Sequence, residues 1–279
     1  KPGLILGHEF CGEIVEGQKR GQIVTGNPLI TCGICDYCLQ GRDNLCSDRG
    51  MIGMNRQGAF AQYMTIPKRC LIEAPKDMDP NHIALTEPAA TVIHAVNIAV
   101  EESYLPIQEC QVLIIGAGAI GLLTALLLKS YGVKMQVLET NLARHPCVKE
   151  HVGINPTNPL TESIRDNSFD VVIDCVGSEK TSSLSFDTVK TGGVIVNVGL
   201  QSWTSSINIR KLTLEEIKLI GCYTYSMEDF KSALKTIERG EFGNLSWIKE
   251  LPLSDANLAF RQLHDDRMSS AKVILKPHL

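Results

Sequence analysis

Apolar and polar positions alternate over Phe10–Val15 and Gln22–Thr25, and again over Phe60–Ile66, which Pro67 ends. Flanked by glycines and turn residues, these stretches read as short strands. From Asn81 the spacing changes. Ile83, Leu85, Ala89, Val92, Ile93 and Val96 recur at helical intervals and predict helix over Asn81–Ala99, interrupted at Pro88. Pro88 suits the first position of a new helix after Glu87, where its missing N–H costs nothing. Beyond Gln111 strand and helix alternate. Val112–Ile115 predicts a buried strand, Ala119–Tyr131 a helix and Met135–Leu138 a second strand, and another helix begins near His145, ahead of Pro146. Phe169–Asp174, Val194–Val198 and Ile217–Cys222 are further apolar runs of strand length. Asn155–Asn167, with two prolines, is too short for much of a crossover helix. The tail leaves this rhythm, with one helix at Phe230–Arg239 and a late strand at Lys272–Leu275.

Strands alternating with helices imply an α/β fold, a parallel sheet covered on both faces. The first part of the chain, rich in short strands and turns, gives way to this pattern after a composition shift near Pro75. At 279 residues there is room for two domains. A net charge of −4 and a pI near 6.0 argue against a nucleic-acid partner. The longest apolar run, Ile120–Leu128, contains Gly121 and Thr124 and is too short to span a bilayer, so no membrane partner is expected. No basic-then-apolar segment opens the chain, which starts at Lys1 in motif-dense sequence, and residues ahead of Lys1 are expected to be missing.

Four cysteines, Cys32, Cys35, Cys38 and Cys46, fall in a C-x2-C-x2-C-x7-C run. Four thiolates suit tetrahedral Zn²⁺, and the intervening Gly33, Asp36, Gly41, Asp43 and Asn44 suit sharp turns. Disulfides are the competing reading, and the scatter of the other six cysteines argues against them and for a reducing, cytoplasmic setting. A site closed by four protein ligands holds structure and performs no chemistry.

A second motif is Gly116-Ala-Gly118-Ala119-Ile120-Gly121, between the strand Val112–Ile115 and the following helix. In that context it reads as a dinucleotide turn. Gly116 permits the turn, Gly118 admits the pyrophosphate, and Gly121 lets helix and strand pack closely. Ala119 and Ile120 open the helix whose free amides face the phosphates. Glu139, at the end of the next strand, suits the ribose hydroxyls and repels a 2′-phosphate, which favours NAD over NADP. Arg144 suits the adenosine ribose, or equally a 2′-phosphate. Val198, Gly199 and Leu200, after the strand Val194–Val198, are expected beside the nicotinamide; a plain strand end is the alternative.

His8 and Glu9 place an imidazole beside a carboxylate, and Glu87 opens a helix. Read alone, these are a surface pair and a helix cap, or a catalytic metal set with an open position. The order Gly7-His8-Glu9-Phe10, then the four cysteines, then G-A-F-A-Q-Y-M-T-I-P at Gly58–Pro67, then the glycine turn, resembles the zinc-dependent medium-chain dehydrogenase/reductases across the whole chain. The resemblance is nearest to the sorbitol/polyol and threonine dehydrogenase branch. The polyol branch has the Glu matching Glu9 and the Glu-Pro matching Glu87-Pro88, and threonine dehydrogenase shares the pattern Asn55–Tyr63. Typical alcohol dehydrogenases carry cysteine at the Glu87 position and match less well.

That resemblance implies a GroES-like β-rich catalytic domain over 1–95 and 226–279, with the structural zinc lobe at 32–46. It implies a doubly wound Rossmann domain over 96–225. It further implies a catalytic zinc held by His8, Glu9 and Glu87, with a family cysteine that would precede Lys1. The implied activity is hydride transfer between NAD and a secondary alcohol such as a polyol, sugar or amino alcohol. The implied assembly is a homodimer or homotetramer. The alternative from a different class is a catalytically incomplete protein of this fold that binds NAD(P) and one structural zinc.

Overall fold

Residues 3–265 and 268–277 are described in a computed structural model, and the chain divides into two units. The first comprises Lys1–Ile93, Tyr223–His264 and Val273–Leu279. It opens with short strands β1 (Gly12–Glu13), β2 (Ile23–Gly26) and β3 (Leu29–Ile30), then the single-turn helix α1 (Asp36–Leu39), β4 (Gly50–Met51) and β5 (Leu71–Glu73). β2 pairs antiparallel with both β1 and β5, and β3 pairs antiparallel with β4. Helices α2 (Pro80–Ala84) and α3 (Thr86–Glu102) follow.

Two expectations change here. Phe60–Ile66 joins no ladder among the described residues. The amides of Gly58, Ala59 and Phe60 instead donate to the carbonyls of Ile5, Gly7 and Leu6, so the start of that run is a strap across Ile5–Gly7. The helix break lies at Leu85, and α3 starts at Thr86, two residues before Pro88. Pro88 is tolerated because first-turn N–H groups have no partner inside the helix.

The second unit comprises His94–Cys222 and Asp265–Lys272. Its elements are β6 (Gln111–Ile115), α4 (Ala119–Ser130), β7 (Lys134–Leu138), α5 (His145–Val152), β8 (Phe169–Asp174), α6 (Glu179–Thr188), β9 (Val189–Asn197), α7 (Ile209–Leu214) and β10 (Lys218–Gly221). The strands form one parallel sheet in the order β10-β9-β8-β6-β7. This bears out the parallel α/β reading. The order reverses at β6, which lies between β7 and β8; such switch points are where ligands of open α/β sheets bind. Leu113, Val172, Ile195, Val189 and Phe186 are buried together between the sheet and α6. Burying each such side chain contributes about 2 kcal/mol.

After the sheet the chain returns to the first unit with α8 (Met227–Glu238), β11 (Ile248–Pro252), α9 (Ala256–His264) and β12 (Lys272–Lys276), of which β11 and β12 pair. Ala74, Ile83 and Leu234 are buried together, with Ile23, Ile72 and Met78 packed against them, so the β2–β5 strands, α2 and α8 share a core. None of the helices among the described residues is long and apolar enough to cross a membrane.

Candidate metal centres and the dinucleotide turn

The four-cysteine lobe follows β3 and carries α1. The Cys32–Cys38 and Cys35–Cys38 sulfur pairs lie 3.9 and 3.5 Å apart, and all four sulfurs fall within 4.8 Å of one another. Zn–S bonds of about 2.3 Å in a tetrahedron require sulfurs about 3.8 Å apart, so the donor set fits the ion. Backbone amides of Ile34 and Cys35 donate to the Cys32 sulfur, and the Cys32 amide donates to the Cys46 sulfur. The bonds from Ile34 and Cys35 pull the Cys32 thiol down to about 6, while desolvation pushes Cys38 up to about 12. Among the described residues no disulfide links the cysteines.

The second cluster is built by the strap. Gly7 has φ +92° and would place a Cβ 2.5 Å from the Phe60 ring, so only glycine fits beneath the strap. The Gly7 carbonyl accepts from Ala59 N–H at 2.9 Å. This explains why the Gly58-Ala59-Phe60 run accompanies Gly7-His8-Glu9-Phe10 in one sequence: the first fixes the backbone of the second. Glu87 is the second residue of α3, where its charge suits the helix dipole. His8, Glu9 and Glu87, distant in sequence, bring one ligand atom each to within 4.8 Å, with His8 Nε2 4.0 Å from Glu87 Oε1. Among the described residues these are the two groups of this kind.

Sequence reasoning missed Tyr225. Its hydroxyl donates to Glu87 Oε1 at 2.7 Å, and its ring packs 5.6 Å from that of Phe230 on α8. Burial and the adjacent carboxylate of Glu87 push the phenol well above its usual range. No local pattern announces it, because the partners are 138 residues apart.

In the second unit the turn between β6 and α4 carries Gly116, Gly118, Ala119, Ile120 and Gly121. A Cβ on Gly121 would stand 1.8 Å from the Gly116 carbonyl oxygen, whereas one on Gly118 meets nothing within 4 Å. The first is closed by helix–strand contact and the second is open, as a phosphate cradle requires. Glu139, 5% exposed, directly follows the neighbouring strand β7. Its Oε2 accepts from Ala117 N–H at 2.9 Å and its Oε1 from Asn141 N–H at 2.7 Å. Arg144 Nη1 lies 3.5 Å from Glu139 Oε2. The amides of Val198 and Gly199 both donate to the Asp174 carbonyl at the end of β8, and Leu200 is exposed beyond them.

Residues 1–76 match the family model for the alcohol dehydrogenase GroES-like domain, and residues 119–239 match that for zinc-binding dehydrogenase. The chain is 31% identical over 256 residues to L-galactonate-5-dehydrogenase of Escherichia coli (strain K12), covering 85% of this chain and 72% of that protein. It is 29% identical over 239 residues to L-threonine 3-dehydrogenase of Shewanella frigidimarina, covering 80% and 68%. Among solved structures, L-idonate 5-dehydrogenase from Escherichia coli superposes with a TM-score of 0.87 at 26% identity, over 98% of this chain and 81% of that one. A protein of Sinorhizobium meliloti 1021 bound to NADP gives 0.83 at 28% identity, over 93% and 80%. A likeness this extensive fixes the ancestry: the chain belongs to the zinc-dependent medium-chain dehydrogenase family, with a GroES-like domain and a Rossmann-like parallel sheet, and is an oxidoreductase.

Proposed function

We propose that this chain is a zinc- and NAD-dependent dehydrogenase acting on a secondary alcohol that carries further polar groups. The convergence of His8, Glu9 and Glu87 carries the reading. Donors about 2.1 Å from a tetrahedral ion are about 3.4 Å apart, so the His8–Glu87 pair, 4.0 Å apart, needs to close by about 0.6 Å. Bound there, Zn²⁺ supplies the Lewis acidity that lowers a substrate hydroxyl's pKa, and NAD⁺ supplies the hydride acceptor. His8 contributes an imidazole nitrogen. Glu9 and Glu87 contribute charge and accept hydrogen bonds from additional hydroxyl or amino groups, which favours polyols, sugar acids and amino alcohols over plain aliphatic alcohols. The names of the relatives, for L-galactonate, L-idonate and L-threonine, support that substrate class.

The backbone of Gly116, Gly118, Ala119, Ile120 and Gly121 receives the pyrophosphate, and Glu139 with Arg144 receives the adenosine ribose. The Glu139 carboxylate favours NAD, even though a relative of the same fold holds NADP. Val198, Gly199 and Leu200 flank the nicotinamide, their turn stiffened by the Asp174 carbonyl. The four-cysteine lobe holds a second, structural zinc. The reading extends to a homodimer or homotetramer in the cytoplasm. Exposed Trp203, Ile207, Ile209 and Leu214 support assembly, and four clustered cysteines with six scattered ones suit a reducing compartment.

The test is NAD⁺ reduction over a panel of polyols, sugar acids and amino alcohols, with zinc counted per chain. Wild type is expected to reduce NAD⁺ with at least one of these classes. His8→Ala is expected to lose one zinc and to lose activity beyond the about 10–100-fold typical of outer-sphere changes. Turnover unaffected by His8→Ala would sink the assignment.

A further inference from the structure

The lobe that carries the four cysteines reaches the turn that carries Tyr225. Asn44, 5% exposed, lies between Cys38 and Cys46, and its side-chain amide donates to the Tyr223 carbonyl at 2.9 Å. The Arg49 guanidinium lies 4.8 Å from the centre of the Tyr223 ring. It also donates to the Tyr223 hydroxyl at 3.3 Å and to the Cys46 carbonyl at 2.8 Å. On the other side of the turn, Asp43 Oδ1 accepts from Met227 N–H at 3.2 Å. Residues 223 and 227 are therefore both pinned to the lobe, and Tyr225 lies between them.

The turn itself is costly. Thr224 has φ +47°, a left-handed conformation that is rare for a β-branched residue, and its hydroxyl oxygen is buried without a hydrogen-bond partner among the described residues. Such strain persists only where surrounding contacts over-determine it, and it concentrates at functional sites. Here the contacts come from the lobe, and the result is a phenol placed 2.7 Å from Glu87 Oε1.

We propose that the four-cysteine lobe positions the His8–Glu9–Glu87 cluster, by pinning the 223–227 turn so that Tyr225 fixes the Glu87 carboxylate. In this proposal Tyr225 is a positioning residue that acts through its hydrogen bond to Glu87. The lobe's order is thereby linked to metal affinity at a site to which it contributes no ligand. This rests on the reading of His8, Glu9 and Glu87 as a metal site.

The test compares the full chain with Tyr225→Phe, Asn44→Ala, Arg49→Met and the double variant Asn44→Ala/Tyr225→Phe. The readout is the Kd of the second zinc, by competition with a chromophoric chelator. The lobe is kept loaded, as shown by protection of its four thiols from a thiol reagent. Each single variant is expected to raise that Kd about tenfold, as outer-sphere partners typically do. The double variant is expected to be no worse than Tyr225→Phe alone, because both changes break one chain of contacts. Arg49 is exposed, so Arg49→Met carries the test if Asn44→Ala disrupts the lobe. An unchanged Kd in the lobe variants, or effects that multiply to about a hundredfold in the double variant, would overturn the linkage while leaving the metal site standing. Wild type binding a single zinc would instead overturn the metal-site reading, and this proposal with it.

Discussion

Glu139 shows how one side chain serves two ends. A carboxylate oxygen offers two lone-pair positions, and here one on each oxygen is taken, by the amides of Ala117 and Asn141. The first amide belongs to the glycine turn and Arg144 stands against the same oxygen, so Glu139 fixes the shape of the cradle, and in the proposed function the same carboxylate receives the ribose. A charge this buried is tolerated because two amides and the Arg144 guanidinium compensate it. Glu139→Gln keeps the shape, removes the charge and turns one oxygen into a donor that faces an amide N–H. The expected cost is about 1–3 kcal/mol of stability in urea unfolding. The ratio of kcat/KM for NAD over NADP should fall about tenfold, equivalent to ~1.4 kcal/mol. A stability loss with unchanged cofactor preference would reduce Glu139 to an anchor of the turn.

At the scale of elements, helix α8 illustrates what is and is not readable in the chain. Ser226 caps it: its hydroxyl accepts from Asp229 N–H at 3.1 Å and the Asp229 carboxylate accepts from Ser226 N–H at 2.9 Å, a reciprocal box that starts the helix three residues before Phe230. The apolar spacing alone pointed to Phe230, because caps lie outside the periodic face. The same blindness hid α6, whose start is set by the Ser178–Thr181 box and whose apolar spacing is weak. Phe60–Ile66 failed for the opposite reason: its alternation is real, but the amides at its start serve the strap over Ile5–Gly7 and not a ladder. The cysteine lobe, the glycine turn and the His8-Glu9 pair were legible because their chemistry is local in sequence. Tyr225 and Asn44 were not, since each acts on a residue far along the chain. Ser226→Ala is expected to destabilise by about 1 kcal/mol, measured by urea unfolding. Because Ser226 adjoins Tyr225, a larger loss of zinc at the second cluster than of stability would mark the cap as part of the support for Glu87.

Across the whole molecule, the two donor sets differ in chemistry and so predict an order of metal loss. The lobe offers four sulfurs with amide donors around them, and a closed thiolate site holds zinc as part of folding, with about 10–16 kcal/mol of apparent binding free energy in small domains. The other cluster offers one imidazole and two carboxylates, with His8 about one-third exposed. Oxygen and nitrogen donors suit zinc less exclusively than thiolates do, and an exposed ligand gives a chelator access. Mild chelation is therefore expected to remove one zinc per chain and abolish NAD⁺ reduction, with far-UV circular dichroism and Tm nearly unchanged. Harsher chelation should remove the second zinc, expose four thiols to a thiol reagent and lower Tm together. Readdition of zinc after the first step should restore activity, because the ligands stay on a folded frame. Readdition after the second should restore it only as the lobe re-forms, since the 223–227 turn that supports Glu87 is pinned to that lobe. If both metals left in one step with the fold, the two sites would share a single folding transition and the separation of structural from catalytic zinc would not hold.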